Sequence, residues 1–212
     1  MKTKILHWNN PESINILKVS LESKKVALTT TDTILGLLAT TDKEGSQALD
    51  SLKNRCLKPY IVLLDSVDKA FLYAQITNEK IIQFIKLCWP GPVTIIFKSN
   101  KSGNFYLKTS SDTIGIRIPR HSELLKLLSH FDGLYSTSAN ISGQAVPKSI
   151  SEVNSEIIDA VGCIVVEDDV NIETVPSTIL DCTADKIRVI REGAYPIDKL
   201  EKLYGEAFIK GE

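Results

Sequence analysis

The sequence predicts one α/β domain, a twisted mixed sheet with flanking helices. Three observations point there. Short apolar runs rich in β-branched residues alternate along the chain with stretches whose apolar residues recur at helical spacing. No repeat, linker or shift in composition interrupts that alternation. Several of the apolar runs end in short loops of Thr, Ser, Asn and Gly, the kind of strand end where α/β folds place ligands.

The elements follow in order. Residues 13–23 carry Ile14, Leu17 and Leu21 on a helical stripe, with Ile16 and Val19 beside it. Residues 26–30 read as a strand, 29–33 as a polar strand end or turn, and 34–39 return to apolar. Residues 43–53 are helical, with Ala48, Leu49 and Leu52 on one side; 60–64 are a strand. Helices over 67–74 and 79–88 follow, and Trp89-Pro90-Gly91-Pro92 stops the second, because two prolines cannot continue a helix. A strand over 93–98, a turn over 100–104 and a strand over 113–118 lead to Pro119. Ser122 is the expected N-cap of a helix to residue 128. Residues 134–138 run into a small-residue loop ending at Gly143, then a helix over 151–160. Strands over 163–166, 177–181 and 187–191 precede a last helix over 197–203. The domain is expected to span 1–212, with its core over about 13–203.

Composition excludes several classes. The 212 residues are 43% hydrophobic and 24% charged, ordinary globular usage rather than that of a disordered chain. With 25 Lys+Arg against 26 Asp+Glu the net charge is −1, which argues against a whole surface coated by nucleic acid but leaves room for a local basic cleft. Lys53, Arg55 and Lys58 form one basic group, Arg117, Arg120 and His121 a second, Arg188 and Arg191 a third; each is a solvated face unless the fold brings them together. Cys56, Cys88, Cys163 and Cys182 are scattered, and with three histidines they make no zinc pattern. There is no apolar signal region at the N-terminus and no run of about 18 apolar residues, so a soluble, reduced, cytoplasmic protein is expected, without membrane attachment.

Chemistry should gather at the polar strand ends. Thr29-Thr30-Thr31-Asp32-Thr33 offers hydroxyls to a ligand, or is a Thr-rich strand edge. Lys53 and Arg55, two apart, fall on one side of an extended segment and suit a polyphosphate, one as a point charge and the other as a bidentate fork. No P-loop is present. Ser136-Thr137-Ser138-Ala139-Asn140-Ile141-Ser142-Gly143 lets backbone N–H groups approach an anion closely. It lacks the nucleophile elbow of a serine hydrolase, and the histidines have no triad context. Asp168-Asp169 reads as a solvated loop before it reads as metal carboxylates.

Taken in order, seven motifs resemble those of the YrdC/TsaC family of threonylcarbamoyl-AMP synthases, in its short single-domain form. They are Thr31-Asp32-Thr33 with Gly36-Leu37; Lys53-x-Arg55; Pro90-Gly91-Pro92-Val93-Thr94; Gly115-x-Arg117-x-Pro119; residues 136–143; Pro176-Ser177-Thr178 with Asp181; and Arg191-x-Gly193-Ala194. The resemblance implies a sheet with a large, concave, basic cavity. It implies the conversion of L-threonine, bicarbonate and ATP to L-threonylcarbamoyladenylate and pyrophosphate. A separate transferase complex would then use the adenylate to make t6A in tRNA. Lys53 and Arg55 would be catalytic. Thr31, Thr33, Lys58, Arg117, Ser136 and Ser177 would bind threonine, with Arg117 on its carboxylate and Thr31 or Ser177 on its amine or hydroxyl. Lys53, Arg55, Thr113, Ser138, Asn140 and Arg191 would bind ATP. Mg2+ would enter with ATP, and no tightly held protein metal is expected. A rival reading is a non-catalytic module on the same fold that binds tRNA, double-stranded RNA or the ribosome; another is a related enzyme using a different amino acid. The chain departs from the family pattern at Thr30, where proline is usual, at Leu35, where an aromatic is, and in the loop Cys56-Leu57-Lys58-Pro59.

Overall fold

The computed structural model describes residues 5–54, 59–101, 105–106, 112–167 and 175–211. Arg55, Lys58 and Asp168-Asp169 lie outside them, as does part of the expected turn over 100–104.

Among the described residues, the strands are β1 (Ile5–His7), β2 (Ala27–Thr29), β3 (Gly36–Thr40), β4 (Ile61–Leu63), β5 (Val93–Lys98), β6 (Thr113–Arg117), β7 (Leu134–Ser138), β8 (Cys163–Val166), β9 (Thr178–Asp181), β10 (Arg188–Arg191) and β11 (Ile209–Lys210). They form one sheet in the order β1-β8-β2-β3-β7-β4-β6-β5-β9-β10-β11. It is mixed: β4 runs parallel to β6 and β5 to β9, whereas β3 and β7, β4 and β7, and β5 and β6 are antiparallel. The helices are α1 (Ser13–Glu22), α2 (Lys43–Lys53), α3 (Val67–Tyr73), α4 (Glu79–Cys88), α5 (Ser122–Leu128), α6 (Ser155–Ala160) and α7 (Ile197–Tyr204).

Strand alternation sends successive side chains to opposite faces. One face presents Leu28, Leu37, Tyr135, Val62, Ile116 and Ile95, and packs into a single core with Leu49 of α2, Phe84 and Ile85 of α4, Ile157 of α6 and Leu200 of α7. The other face is covered along one part only. There Ala27, Leu38, Leu63, Leu134 and Val165 pack against Leu17 and Leu21 of α1 and Leu124, Leu127 and Leu128 of α5. Farther along, the register sets Ser136 of β7, Ile61 of β4 and Gly115 of β6 side by side. This stretch mixes small and polar side chains with the apolar ones, and the candidate site opens on it.

Local chemistry sets the element ends. Asp42 caps α2 by accepting from the Gly45 N–H at 2.8 Å, and Asn54 ends that helix in the left-handed region at φ 46°. Trp89 ends α4, with the indole N–H donating to Val93 O at 2.7 Å and a cis bond to Pro90. The cap of α5 is His121 rather than Ser122: His121 has the extended backbone of a cap and its Nδ1 accepts from Leu124 N at 3.1 Å, so Ser122 is the first helical residue. The expected helix over 151–160 is broken in two. A 3-10 turn (Ile150–Glu152) ends at extended Val153, and Asn154 starts α6 by accepting from Glu156 N at 2.8 Å. β1 and β11 were not expected; at three and two residues they are too short to show alternation, and they exist because β8 and β10 offer them backbone partners.

The Asp42 cap makes a measurable prediction. Burial raises the Asp42 pKa, but the bonds from Lys24 and from the Gly45 N–H outweigh it, so the carboxyl titrates below its ordinary value. Asp42→Ala should cost about 1 kcal/mol and lower the thermal midpoint by about 2–4 °C. Because the folded pKa is the lower one, that stability is whole above about pH 4 and is lost as the pH falls through the folded value. Thermal midpoints of the two proteins, followed into acid, should therefore differ at neutral pH and converge at low pH.

Candidate active site

The loop after β2 is built by its own hydroxyls. Thr31 Oγ1 accepts from the N–H groups of Thr33 and Ile34, both at 3.2 Å, and donates to Ile34 O at 2.8 Å. This turn lifts Asp32 and Thr33 toward the end of β6, where Arg117 waits. Arg117 is buried, at 4% exposure. Its Nη2 pairs with Asp32 Oδ1 at 2.5 Å, its Nη1 donates to Thr33 Oγ1 at 2.8 Å, and its Nε donates to Gly91 O at 3.3 Å. The other Asp32 oxygen accepts from Arg120 N at 2.8 Å, and Arg120 Nε donates to Pro90 O at 3.2 Å. The Trp-Pro-Gly-Pro segment, the loop after β2 and the end of β6 are thereby tied into one unit. A guanidinium has five N–H donors; three are spent here, which leaves one on each terminal nitrogen.

Arg191, at the end of β10, is held differently. Its Nε and Nη2 both donate to Ser177 O, at 3.2 and 2.8 Å, and no carboxylate pairs with it among the described residues. Desolvation, followed by the positive charge of Arg117, pushes its pKa down. The turn behind it is stapled to β9. Thr178 Oγ1 accepts from Gly193 N at 3.0 Å and Tyr195 N at 3.2 Å, and donates to Tyr195 O at 2.5 Å. A Cβ on Gly193 would lie 2.2 Å from Pro176 O, so only glycine permits this approach.

Lys53 ends α2 and is 2% exposed. Its ammonium donates to Ser138 O at 2.6 Å and to Asn140 Oδ1 at 3.0 Å. Asn140 Nδ2 in turn donates to Gln144 O at 2.6 Å. Lys53 thus holds the loop that follows β7.

These elements enclose a pocket of about 270 Å³. Of the residues expected in the site, Thr31, Thr33, Arg117, Ser136, Ser138, Ser177 and Arg191 line it together. Lys53 and Asn140 stand behind Ser138 and are not part of the lining. Thr113 lies at the far end of β6 from Arg117, on the same face of the sheet, opposite Lys98. Arg55 and Lys58 fall outside the described residues. Sequence reading named Thr94 only within the motif over 90–94 and gave it no role; its hydroxyl lies 2.8 Å from that of Ser177. It missed the apolar wall of Ile34, Val146 and Ile179. A second signal for Thr94 is that it is the lone polar residue in the run Val93-Thr94-Ile95-Ile96-Phe97, so alternation sets it apart.

Two arginines against one bonded carboxylate leave this pocket positive, suited to anionic groups. Of the serines that line it, Ser177 bonds to Thr94 and Ser138 to Lys53 and Asn140; no Ser–His pair is formed among the described residues. Among those residues no cluster of His, Cys, Asp and Glu could hold a metal, and no helix is long and apolar enough to cross a membrane.

Comparison with known proteins places this architecture. A Methanocaldococcus jannaschii relative is 31% identical over 204 residues, 94% of this chain and 96% of the relative. A Pyrococcus abyssi protein named threonylcarbamoyl-AMP synthase is 27% identical over 209 residues, 97% of this chain; the chain spans 60% of that relative's length. The structure of P. abyssi Sua5 complexed with L-threonine matches with a TM-score of 0.88 at 27% identity, over 99% of this chain and 63% of that one. The family model of Sua5, YciO and YrdC, described as "Telomere recombination", matches residues 20–193. The chain belongs to the Sua5/YciO/YrdC family.

Proposed function

We propose that this chain makes L-threonylcarbamoyladenylate and pyrophosphate from L-threonine, bicarbonate and ATP. The observation that carries the reading is the pocket shared by Arg117 and Arg191, two guanidinium groups of which only Arg117 is paired with a carboxylate among the described residues. Relatives named threonylcarbamoyl-AMP synthase, and a neighbour whose structure holds L-threonine, support the choice of amino acid.

In this reading Arg117 offers its two remaining N–H groups to the threonine carboxylate as a bidentate fork. Asp32, on the opposite side, keeps the fork in place. The neutral amino group adds to the carbon of bicarbonate and water leaves, which gives a carbamate. A carbamate oxygen then attacks the α-phosphorus of ATP, the bond from that phosphorus to the β-phosphate oxygen breaks, and pyrophosphate leaves. Such a transfer depends on alignment and charge neutralisation, not on a protein nucleophile. Arg191 supplies charge to the phosphates, and Lys53 acts through the Ser138–Asn140 loop that it holds. Thr113, on the same face beyond the pocket, lies in the direction in which the nucleotide extends. Among the described residues the pocket's lining contains no carboxylate, so Mg2+ arrives on the ATP phosphates and keeps much of its water. The adenylate then passes to a separate transferase that modifies tRNA.

Pyrophosphate release should require threonine and bicarbonate together. Release that continues without either one would refute the reading. Arg117→Lys keeps a charge beside Asp32 but loses the fork. Loss of a charge-assisted hydrogen bond is worth about 1.5–3 kcal/mol, so the threonine requirement should rise roughly 10- to 150-fold while the ATP requirement changes little. Arg191→Ala should show the opposite pattern, with the ATP requirement raised more than that for threonine. Titration of each substrate at saturating levels of the other separates the two effects.

A further inference from the structure

Thr94 and Ser177 form a pair that the reaction scheme leaves unexplained. Their hydroxyls are 2.8 Å apart, Thr94 on β5 and Ser177 just before the adjacent β9, and both residues line the pocket. Thr94 is fully buried and Ser177 is 5% exposed, so the Ser177 hydroxyl is the more open of the two. Neither hydroxyl has another hydrogen-bond partner among the described residues. A pair of hydroxyls holds two protons and its one bond uses one of them. If Ser177 donated, the proton of fully buried Thr94 would be left without an acceptor, at the cost of an unsatisfied buried donor. If Thr94 donates, both needs are met: the Thr94 proton is spent on Ser177 Oγ, and the Ser177 proton is free to face the pocket.

We infer that Thr94 is a specificity-determining residue, which fixes Ser177 as a hydrogen-bond donor to the side-chain hydroxyl of the amino-acid substrate. This rests on the threonine reading above and deepens it. An outward O–H seeks an acceptor. A substrate hydroxyl oxygen is one. The threonine carboxylate and the carbamate made from its amine are acceptors as well, but in the reading above Arg117 takes the first and the α-phosphate the second, so the side-chain hydroxyl oxygen is the acceptor left for Ser177. The Thr31 hydroxyl is already engaged by the turn it closes, with Ile34 O as its acceptor and two N–H groups as its donors. Thr94 does not itself touch the substrate. It is a positioning residue, acting through the orientation of Ser177.

The test compares L-threonine with L-2-aminobutyrate, which has the same carbon skeleton without the hydroxyl. Binding of each to wild type, Thr94→Val and Thr94→Ser is measured by titration calorimetry on the full chain, with thermal unfolding as a check on folding. Wild type should prefer threonine. Thr94→Val should cut that preference by about tenfold, the worth of one hydrogen bond, by weakening threonine alone, and Thr94→Ser should restore it. An unchanged preference in Thr94→Val would overturn the inference, as would an equal loss for both amino acids, the mark of a purely structural role. If Thr94→Val fails to fold, Thr94→Ser decides: it keeps the hydroxyl and must keep the preference. Failure of wild type to bind either amino acid would instead bring down the threonine reading itself.

Discussion

The site depends on one buried ion pair. A guanidinium at the end of β6 with 4% exposure is costly to desolvate, and the Asp32 carboxylate is what makes it tolerable there. To deliver that carboxylate the chain must leave β2, turn on the Thr31 hydroxyl and cross to β6. The second oxygen of Asp32 then captures the Arg120 N–H, and the Gly91 carbonyl takes Arg117 Nε. Three segments far apart in sequence meet because one positive charge needs its partners. Such a pair adds little net stability over an apolar substitute, but removing either member alone would be severe. What it provides is a guanidinium held by three bonds at the wall of the pocket.

The same sheet explains why the pocket exists. One face is fully used by helices α2, α4, α6 and α7, whereas α1 and α5 reach only part of the other. An uncovered sheet face would normally be a liability. Here alternation brings Ser136, Gly115 and Thr94 onto it beside Ile61, so the open stretch is small and polar enough to meet solvent or ligand. Arg191, bonded twice to the Ser177 carbonyl just before β9, adds charge without a counter-ion among the described residues. A pocket lined by two arginines, with one carboxylate bonded behind them among the described residues, is electrostatically incomplete until an anion enters.

Much of this was legible in the chain. Apolar periodicity located nearly every helix and the longer strands, since cores impose those periods. It missed β1 and β11, whose existence depends on the edges of β8 and β10. It read through the break at Val153 because Ile150, Ile157 and Ile158 keep near-helical spacing, while only the Asn154 cap reveals the interruption. Among site residues, Arg117 and Arg191 came from motif order, and the fold puts both on the pocket. Thr31 and Lys53 show the limit of motif reading. Both lie in place, but the Thr31 hydroxyl is engaged in a turn and the Lys53 ammonium is turned onto Ser138 and Asn140. Thr94 was legible as a motif residue and as a polar interruption of a strand, but not as one of a pair; its partner Ser177 comes from just before β9, 83 residues away.

The most direct test of the account is a crystal structure of the protein with L-threonine and a non-hydrolysable ATP analogue. The account predicts the threonine carboxylate on the two free N–H groups of Arg117, with Arg117 still paired to Asp32, and phosphate oxygens within reach of Arg191. An amino acid bound elsewhere, or an Arg117 that bonds to Asp32, Thr33 and Gly91 but not to the ligand, would contradict it.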